Sequence, residues 1–479
     1  MSSVKSFNYD RSNLKAGIAH IGVGNFHRAH QEFYISKLME QCPDQQNWAY
    51  IGIALLPFDE ALVKALKSQN CEYTCTVCSR DGTNETYKIG SLLDIKYAID
   101  DPKGVIETLA SKDIKIISMT ITEGGYNMDK KTGEFVLTEP NVAHDIKEKD
   151  SPETVFGYIA AGLRLRKELG NGPVTILSCD NLQHNGNTCK RAITSFISAQ
   201  DPELAKWVET NVTFPNSMVD RITPAVRPED RERLNRENGT NCAAPIYTED
   251  FIQWIIEDNF IAGRPTWEKV GVEFCNDVTP YENMKLSLLN ASHSLLSYPS
   301  FLSGYRYVDK AMSDPRIQKF VKDFMEIDIT PYVPAPGNID LDLYKKTLIE
   351  RFGNKTISDQ VARLCFDGAS KIPVYIVPNL KKMVADKHDL TRVAYFAAVY
   401  RKYLRSTKDD NGDEYKVNDP WVTEDDKKLL YDEDPVKFLS ASMWKGADIE
   451  ECDDFKKLYL DFASRLEKES AMKVLETII

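Results

Sequence analysis

The first half of the chain alternates apolar strands with helical patterns, and this alternation restricts the possible folds more than any other feature. A buried strand is predicted over 16–21, and further apolar strands over 48–55, 114–122 and 174–178. Strands that stay apolar on both faces, with helices between them, are typical of a parallel sheet covered by helices on both sides. The sequence therefore predicts an α/β fold with a doubly wound parallel sheet.

The turn after the first strand is suited to binding a dinucleotide. Gly22-Val23-Gly24 lies between this strand and a helix, where glycines permit a tight turn and let backbone N–H groups approach a pyrophosphate. His27 replaces the third glycine of the usual G-x-G-x-x-G motif. His27 and Arg28 fall in the first helical turn, where a cation opposes the helix dipole unless an anion docks there. We predict a dinucleotide site; the alternative is a glycine turn that only joins strand to helix.

An acid that binds the adenosine ribose is expected after the second strand. Asp59 comes a few residues after that strand and is the candidate for the ribose hydroxyls, which favours NAD over NADP. The alternative is that Asp59 and its neighbour Glu60 are first-turn acids favoured by the helix dipole. NAD is the predicted cofactor, and NADP stays open.

A later helix, predicted over 283–298, carries three polar side chains among leucines. A rotation of about 100° per residue places Asn290 about 140° and His293 about 80° from Lys285, so the three share one sector. The leucines predict that this helix is buried, and burial lowers the pKa of a lysine toward the range of a general base. Asn290 can donate to an alkoxide-like oxygen. Alternatively, Lys285 reaches solvent and the other two side chains are only satisfied within the core.

The character of the sequence changes near residue 280, where helical patterns replace strands. We predict a Rossmann-type dinucleotide-binding domain over 1–280 and a mostly α-helical substrate and catalytic domain over 281–479. Within the first, period-two alternation over 71–87 predicts a β-hairpin. Within the second, 406–435 is predicted to be a solvated loop. Helices are predicted there over 283–298, 312–326, 341–352, 357–365, 390–405 and 453–475.

No metal site is predicted. Cys71, Cys75 and Cys78 have a spacing seen in iron–sulfur proteins, but a β pattern points Cys75 and Cys78 to opposite faces of a sheet. The nearby histidines lack the further spaced ligands that zinc requires.

The composition argues against several classes of function. Sixty Lys and Arg against 72 Asp and Glu give a net charge of −12, and no basic patch offsets it. Such a surface is unsuited to nucleic acid or anionic membranes. No apolar run approaches the ~18 residues of a membrane span, and a signal peptide is not evident. Ten scattered cysteines indicate reduced thiols. We expect a cytoplasmic enzyme with no nucleic-acid or membrane partner.

Five sequence motifs follow one another along nearly the whole chain. They are Gly22–His30 (GVGNFHRAH), Thr122–Tyr126 (TEGGY), Ser178–Asn181 (SCDN), Met218–Pro224 (MVDRITP) and Lys285-x4-Asn290-x2-His293. Their content and order resemble those of the polyol-specific long-chain dehydrogenases. Within that family, the resemblance is strongest to the enzymes that act on mannitol. The resemblance implies a metal-independent, NAD(P)-dependent enzyme with a Rossmann domain packed against a helical one, and it favours a monomer.

The resemblance also implies roles for individual residues. The catalytic residues are Lys285 as general base, with Asn181 and Asn290 as the oxyanion site. The implied contacts to substrate hydroxyls are Asp220, His293, Arg363 and Lys371. The implied cofactor site comprises Gly22, Val23, Gly24, Asn25, Phe26 and Arg28, with Glu123 near the nicotinamide as part of a proton path. Asp59, the ribose candidate from its position after the second strand, completes the predicted site.

The implied reaction is the reversible oxidation of a secondary alcohol of an acyclic polyol to a ketose, with D-mannitol to D-fructose as the first expectation. The alcohol proton passes to Lys285 while hydride passes to the nicotinamide. D-Arabinitol and fructuronate (reduced to mannonate) stay open as substrates, since Arg363 or Lys371 could hold a carboxylate. A protein that binds the nucleotide without catalysis is the alternative of another class, and the three catalytic residue types argue against it.

Overall fold

The structure, a computed structural model, describes residues 4–129, 132–357 and 359–479, and it divides into two units after Thr279. The first unit contains parallel and mixed sheets with helices, and the second is built of helices. The predicted fold class is therefore confirmed. The roles assigned to the two predicted domains stay predictions.

The strands of the first unit form three sheets. In chain order they are β1 Lys5–Ser6, β2 Ala16–Ile21, β3 Ala49–Ala54, β4 Tyr73–Cys78, β5 Asn84–Ile89, β6 Leu92–Tyr97, β7 Ile116–Met119, β8 Val174–Ser178, β9 Val212–Thr213, β10 Ser217–Asp220, β11 Ile246–Glu249, β12 Gln253–Glu257 and β13 Glu273–Cys275. Its helices are α1 Asn25–Ala29, α2 Gln31–Gln41, α3 Glu60–Lys67, α4 Pro102–Ala110, α5 Pro140–Lys147, α6 Val155–Glu168, α7 Asn185–Gln200, α8 Pro202–Asn211 and α9 Pro228–Asn238.

The largest sheet has six parallel strands in the order β6-β3-β2-β7-β8-β9. Numbered by their own sequence within this sheet, the strands follow the order 3-2-1-4-5-6, which is that of a Rossmann fold. The order reverses between β2 and β7. The segments that follow β2, β3, β7 and β8 therefore meet at one edge, where such folds bind their ligands.

Helices cover both faces of this sheet, as the apolar strands predicted. Neighbouring residues of one strand point to opposite faces. Ile116 of β7 belongs to one buried apolar cluster and Ile117 to another, and both are fully buried. Continuous apolar strands are stable here because neither face meets water.

The two smaller sheets were predicted in part. The hairpin expected over 71–87 is present as β4 and β5, which pair antiparallel within the order β1-β5-β4-β11. The sheet β10-β12-β13 was not predicted. Its strands have only three to five residues, too few to show a clear period in the sequence.

The second unit consists of helices, most of them joined by short loops, with longer connections before and after α19. They are α10 Thr279–Lys285, α11 Ala291–Leu302, α12 Val308–Met312, α13 Pro315–Asp323, α14 Leu341–Phe352, α15 Val361–Cys365, α16 Gly368–Tyr375, α17 Val377–Ala385, α18 Thr391–Arg405, α19 Glu424–Leu430, α20 Asp453–Leu466 and α21 Ala471–Leu475. Leu286–Asn290 and Phe324–Ile329 are π-helical. No helix within the described ranges has the length and apolar character to cross a membrane.

Side-chain caps explain where the helices of the second unit depart from the prediction. The predicted helix 453–475 is divided, because the Ser470 side chain accepts a hydrogen bond from the Lys473 N–H and starts α21. The predicted loop 406–435 contains α19, which begins with a capping box between Thr423 and Asp426. Of the predicted helix 357–365, residue 358 lies outside the described residues and α15 covers 361–365.

Gly162 tests how closely the first unit is packed. It lies in the interior of α6, and a Cβ atom there would be 2.5 Å from Leu109 Cβ on α4. Helix propensity alone would make Gly162→Ala stabilising by ~1 kcal/mol. We expect it instead to lower the free energy of unfolding by about 1–3 kcal/mol, because neither helix backbone can move freely.

Urea denaturation measures this change, with the exposed Ser198→Ala on α7 as the control expected to stay near wild type. A stabilising Gly162→Ala would show that the two helices have room to separate.

Candidate active site

The glycine turn after β2 lies in the middle of the sheet edge that is formed by the carboxyl ends of the parallel strands in the first unit. Gly22 has φ of +92°, and a Cβ atom there would lie 2.1 Å from the Thr120 carbonyl oxygen, so only glycine fits. A Cβ atom at Gly24 would have no neighbour nearer than 3.9 Å. Gly22 is therefore required by the protein itself, and Gly24 leaves open space over the turn. That space is what the approach of a pyrophosphate needs.

The other side chains of the turn mostly contact the protein. Val23 is buried and packs against β3, since a Cβ atom at Gly52 would lie 2.6 Å from Val23 Cγ2. Asn25 donates a hydrogen bond to the Pro224 carbonyl at 3.2 Å. The ring of Phe26 stacks on His30 with 4.9 Å between centroids.

His27 and Arg28 do not act as the surface cations that the sequence suggested. Arg28 is only 2% exposed and donates to the Ala244 carbonyl (2.7 Å), the Gly24 carbonyl (3.3 Å) and Asn25 Oδ1 (2.7 Å). His27 is fully buried, and burial lowers its pKa to about 3. His27 is therefore neutral and Arg28 donates to acceptors of the protein, so the argument from two cations in this turn loses its support, and a cofactor contact of Arg28 stays a prediction. Arg28 holds the backbone of the turn from within.

A pair of stacked histidines lies beneath the turn. The rings of His20 on β2 and His27 are 3.4 Å apart and nearly parallel. The Thr120 hydroxyl donates to the Gly22 carbonyl at 2.8 Å, so it must accept from His20 Nε2 at 3.0 Å. His20 Nδ1 then accepts from the Ser118 hydroxyl at 2.8 Å. A single neutral tautomer of His20 therefore makes both hydrogen bonds. This agrees with the pKa of His20, which burial lowers well below its usual range.

Glu32 completes this buried group. Its Oε1 lies 3.2 Å from His27 Nε2, and its other oxygen contacts the Ser91 hydroxyl. Burial raises the pKa of Glu32 to about 8. A protonated Glu32 donates to His27 Nε2, while His27 Nδ1 donates to Gln31 Oε1 at 3.2 Å. Burying the charged forms of both His27 and Glu32 would be costly. The glycine turn therefore packs on a hydrogen-bond network of neutral side chains.

Asp59 follows β3 at the same edge of the sheet. Its carboxylate accepts from the Leu56 N–H at 3.0 Å and closes the short 3-10 turn Pro57–Asp59. This hydrogen bond agrees with the alternative that Asp59 is an acid of the first helical turn and not a ribose ligand. The carboxylate is partly exposed, and the ribose role stays a prediction.

Asp180, which the sequence analysis did not select, organises the segments after β7 and β8. Its carboxylate accepts from the N–H groups of Ile121 (3.1 Å) and Thr122 (2.8 Å) and from the Tyr126 hydroxyl (2.6 Å). Thr122 has φ of +65°, which is unfavourable for a β-branched residue and needs such support. The exposed Glu123 and Asn181 directly follow Thr122 and Asp180, so this carboxylate positions both.

Asn185 connects β8 with the strand that ends at Asp220. Its amide donates to the carbonyls of Ser178 (3.2 Å) and Ser217 (2.8 Å) and accepts from the Ser217 N–H (2.8 Å). Asp220 is the last residue of β10 and is 5% exposed.

In the second unit, Lys285 and Asn290 enclose a π-helical turn where the sequence predicted a continuous α-helix. The Ala291 N–H donates to the Leu286 carbonyl, five residues back. Residues five apart are about 140° apart in an α-helix but about one turn apart in a π-helix. The turn thus brings Lys285 and Asn290 closer to one face than predicted. Lys285 is 7% exposed, and Asn290 Oδ1 is buried with no hydrogen-bond partner within the described residues.

The remaining predicted residues of the second unit lie on α11, α15 and α16. His293 packs on Phe352 with 4.4 Å between ring centroids. Arg363 is ion-paired with Asp359, to which its Nε donates at 2.8 Å. Lys371 donates to the Leu364 carbonyl at 3.3 Å and also to that of Phe366.

Two family models cover most of the sequence. Residues 16–269 match the mannitol dehydrogenase Rossmann domain, and residues 277–462 match the mannitol dehydrogenase C-terminal domain. The chain belongs to the mannitol dehydrogenase family. The relationship that the five motifs implied is confirmed.

Similar proteins of the mannitol dehydrogenase family match over almost their whole length. The polyol:NADP oxidoreductase of Gluconobacter oxydans is 40% identical over 94% of this chain and 93% of its own. A crystal structure of D-sorbitol dehydrogenase in substrate-free form is 38% identical, with a TM-score of 0.92 over 98% of this chain and 97% of that one. Pseudomonas fluorescens mannitol 2-dehydrogenase, in a ternary complex with NAD and D-mannitol, is 39% identical, with a TM-score of 0.88 over 99% and 96%.

The structure of this mannitol dehydrogenase family member groups the predicted residues within each unit. The first unit gathers the glycine turn, Asp59, Glu123 and Asn181 at one sheet edge, and the second carries Lys285, Asn290 and His293 on one helical segment. Among the described residues, no group of three or more His, Cys, Asp or Glu side chains could hold a metal ion.

Sequence reasoning missed Asp180 and Glu32, although each carried a signal. Asp180 is an acid two residues after the end of a buried strand. Glu32 is an acid within the helical pattern of Ala29, Phe33 and Tyr34.

The neutral network predicts a pH dependence for Glu32. Between its ordinary pKa of 4.5 and about 8, the folded chain holds a proton that the unfolded chain releases. The contribution of Glu32 to stability therefore falls with rising pH in this window, by at most about 1.4 kcal/mol per pH unit. His20 and His27, whose pKa values burial lowers from 6.5, contribute in the opposite direction up to about that pH, and they do so equally in wild type and variant. Glu32→Gln cannot titrate, and its amide can still donate to His27 and accept from Ser91. Its stability relative to wild type should rise with pH.

Urea denaturation across this window tests the prediction, with the exposed Glu209→Gln as a control expected to show no such trend. Parallel profiles for wild type and Glu32→Gln would mean that Glu32 is ionised in the folded protein.

Proposed function

We propose that this chain is an NAD-dependent polyol dehydrogenase that reversibly oxidises a secondary alcohol to a ketose, with D-mannitol to D-fructose as its main reaction. The observation that carries the proposal is the π-helical turn, which holds a buried lysine and the side-chain amide of Asn290, whose Oδ1 has no partner among the described residues, near one helix face. The mannitol 2-dehydrogenase that crystallised with NAD and D-mannitol, 39% identical over nearly all of this chain, supports it.

In the proposed mechanism, Lys285 is the general base. Its nearly buried amine would remove the hydroxyl proton of the substrate, and Asn290 and Asn181 would hold the oxygen as negative charge develops on it. The nicotinamide, when bound, supplies the acceptor for the hydride. Glu123 would exchange protons with solvent, since it is exposed on the segment that Asp180 holds.

The proposed cofactor site lies in the first unit and the catalytic helix in the second, with the functional boundary at residue 280. The turn Gly22–Phe26 would bind the pyrophosphate through backbone N–H groups, with the open space at Gly24 receiving it. Asp59 would bind the ribose and thus select NAD, although the Gluconobacter relative is named for NADP. We propose metal-independent activity, and a monomer in solution, which light scattering would check.

On the substrate side, Asp220 and His293 would bind hydroxyl groups of the polyol. Arg363 and Lys371 already have protein partners, an aspartate and two backbone carbonyls. A uronate carboxylate would have to compete with those partners, whereas neutral hydroxyls can add a hydrogen bond to them. This favours a polyol over fructuronate.

A substrate panel tests the assignment directly. We expect formation of reduced nicotinamide with D-mannitol and NAD, weaker turnover with D-sorbitol and D-arabinitol, and little turnover of fructuronate in the reverse direction. Activity should survive dialysis against EDTA, and NADP should support a lower kcat/KM than NAD. Nucleotide binding without turnover of any polyol or ketose would contradict the proposal, and so would activity that returns only on adding Zn²⁺.

The role of Lys285 is tested by Lys285→Met, which keeps the apolar stem and removes the amine. General-base catalysis contributes ~10²–10⁴-fold, so kcat for polyol oxidation should fall by at least that order. Binding of NADH, followed by its fluorescence, should persist because the glycine turn is unchanged.

Lys345→Met is the matched control, since Lys345 is also 7% exposed but pairs with Asp342 on α14. Near-wild-type turnover of Lys285→Met would show that Lys285 has only a packing role.

A further inference from the structure

A cavity in the helical unit is lined by none of the residues of the π-helical turn. It has a volume of about 480 Å³ and lies between the C-terminal half of α18, the segment that follows it and the end of α20. Among the residues that line it are Arg401, Lys402, Arg405, Asp410, Lys468 and Ser470. This volume is in the range of sites for small molecules.

Arg401 is the unusual residue of this cavity. It is only 4% exposed, yet its Nε has no hydrogen-bond partner among the described residues, and no ion pair to it is found there. A buried guanidinium nitrogen without an acceptor is unfavourable, because it has lost water and gained no hydrogen bond in exchange. Burial accordingly lowers the pKa of Arg401. Among the described residues, the Glu467 carboxylate attracts the charge of Arg401, but no carboxylate forms an ion pair with it.

The carboxylates around the cavity do not supply that partner. Each is already paired with a cation: Asp410 with Lys402 (2.6 Å), Glu467 with Arg405 (3.7 Å), and Glu469 with Arg465 (3.2 Å) and Lys473 (3.3 Å). Arg401 and Lys468 line the cavity without an ion pair to any described carboxylate, and Glu467 adds only a longer-range attraction for Arg401. Ser470 accepts from the Lys473 N–H, and its hydroxyl proton is free to donate into the cavity.

We propose that this cavity binds the phosphate group of a small phosphorylated metabolite of sugar size, with Arg401 as the central ligand. A phosphate monoester carries nearly two negative charges, which match these two cations, and its oxygens fit the fork of a guanidinium. The cavity is larger than a phosphate ion alone requires, which leaves room for the attached sugar. The proposal is independent of the polyol dehydrogenase function.

Thermal denaturation of the full chain tests the proposal, with inorganic phosphate and glucose 6-phosphate added at matched ionic strength. A ligand that binds only the folded state raises Tm in a concentration-dependent way. We expect both compounds to raise the Tm of wild type, and glucose 6-phosphate to act at the lower concentration. Arg401→Met should abolish both shifts. Lys457→Met removes the same charge from an exposed position on α20 outside the cavity, and should keep them.

The same variants exclude a general salt effect and a purely structural role of Arg401. Equal shifts in wild type and Arg401→Met would overturn the proposal, because phosphate also stabilises proteins by exclusion from their surface. Without ligand, Arg401→Met should match or exceed the Tm of wild type and keep its turnover; a large loss of Tm would show that Arg401 is held by the protein. Equal potency of the two compounds would overturn the sugar part of the proposal.

Discussion

The close approach of two backbones, at Gly22 and Thr120, is the constraint on which the candidate cofactor site depends. The two residues follow β2 and β7, the strands between which the sheet order reverses, and a Cβ atom at Gly22 would fall 2.1 Å from the Thr120 carbonyl oxygen. The Thr120 hydroxyl adds a bond to the Gly22 carbonyl. The turn is thereby fixed from one side, which leaves its other side open above Gly24 for a ligand.

Three ionisable side chains buried below this edge have hydrogen-bond partners and stay uncharged. His20, His27 and Glu32 form a network in which burial favours the neutral form of each. Arg28 keeps its charge but is surrounded by oxygen acceptors. These contacts make the carboxyl end of the sheet rigid and preorganised. A preorganised site loses little conformational entropy when it binds a ligand. Arg401 in the helical unit differs, since its buried Nε has no acceptor among the described residues.

The π-helical turn in the second unit changes the angle between Lys285 and Asn290 around the helix axis. Lys285 and Asn290 are five residues apart, which is a poor spacing for one face of an α-helix. One i→i+5 hydrogen bond, from Ala291 to Leu286, changes the rotation enough to bring them closer together. The turn persists because the apolar neighbours on the same segment, such as Leu288 and Leu295, are fully buried. Packing thus maintains a helix geometry that local preference would not choose.

The sequence by itself determined the fold class, the exact bounds of β2, β8 and α14, and the family, because period and motif order are local properties that survive in the linear chain. Tertiary structure alone decided which partner each polar side chain meets. Arg28 turned inward because the Ala244 carbonyl, 216 residues later, offers an acceptor there, and Asp180 became a support because Thr122 is brought beside it by the pairing of β7 with β8. Such contacts depend on how distant segments pack, and residue spacing carries no record of them.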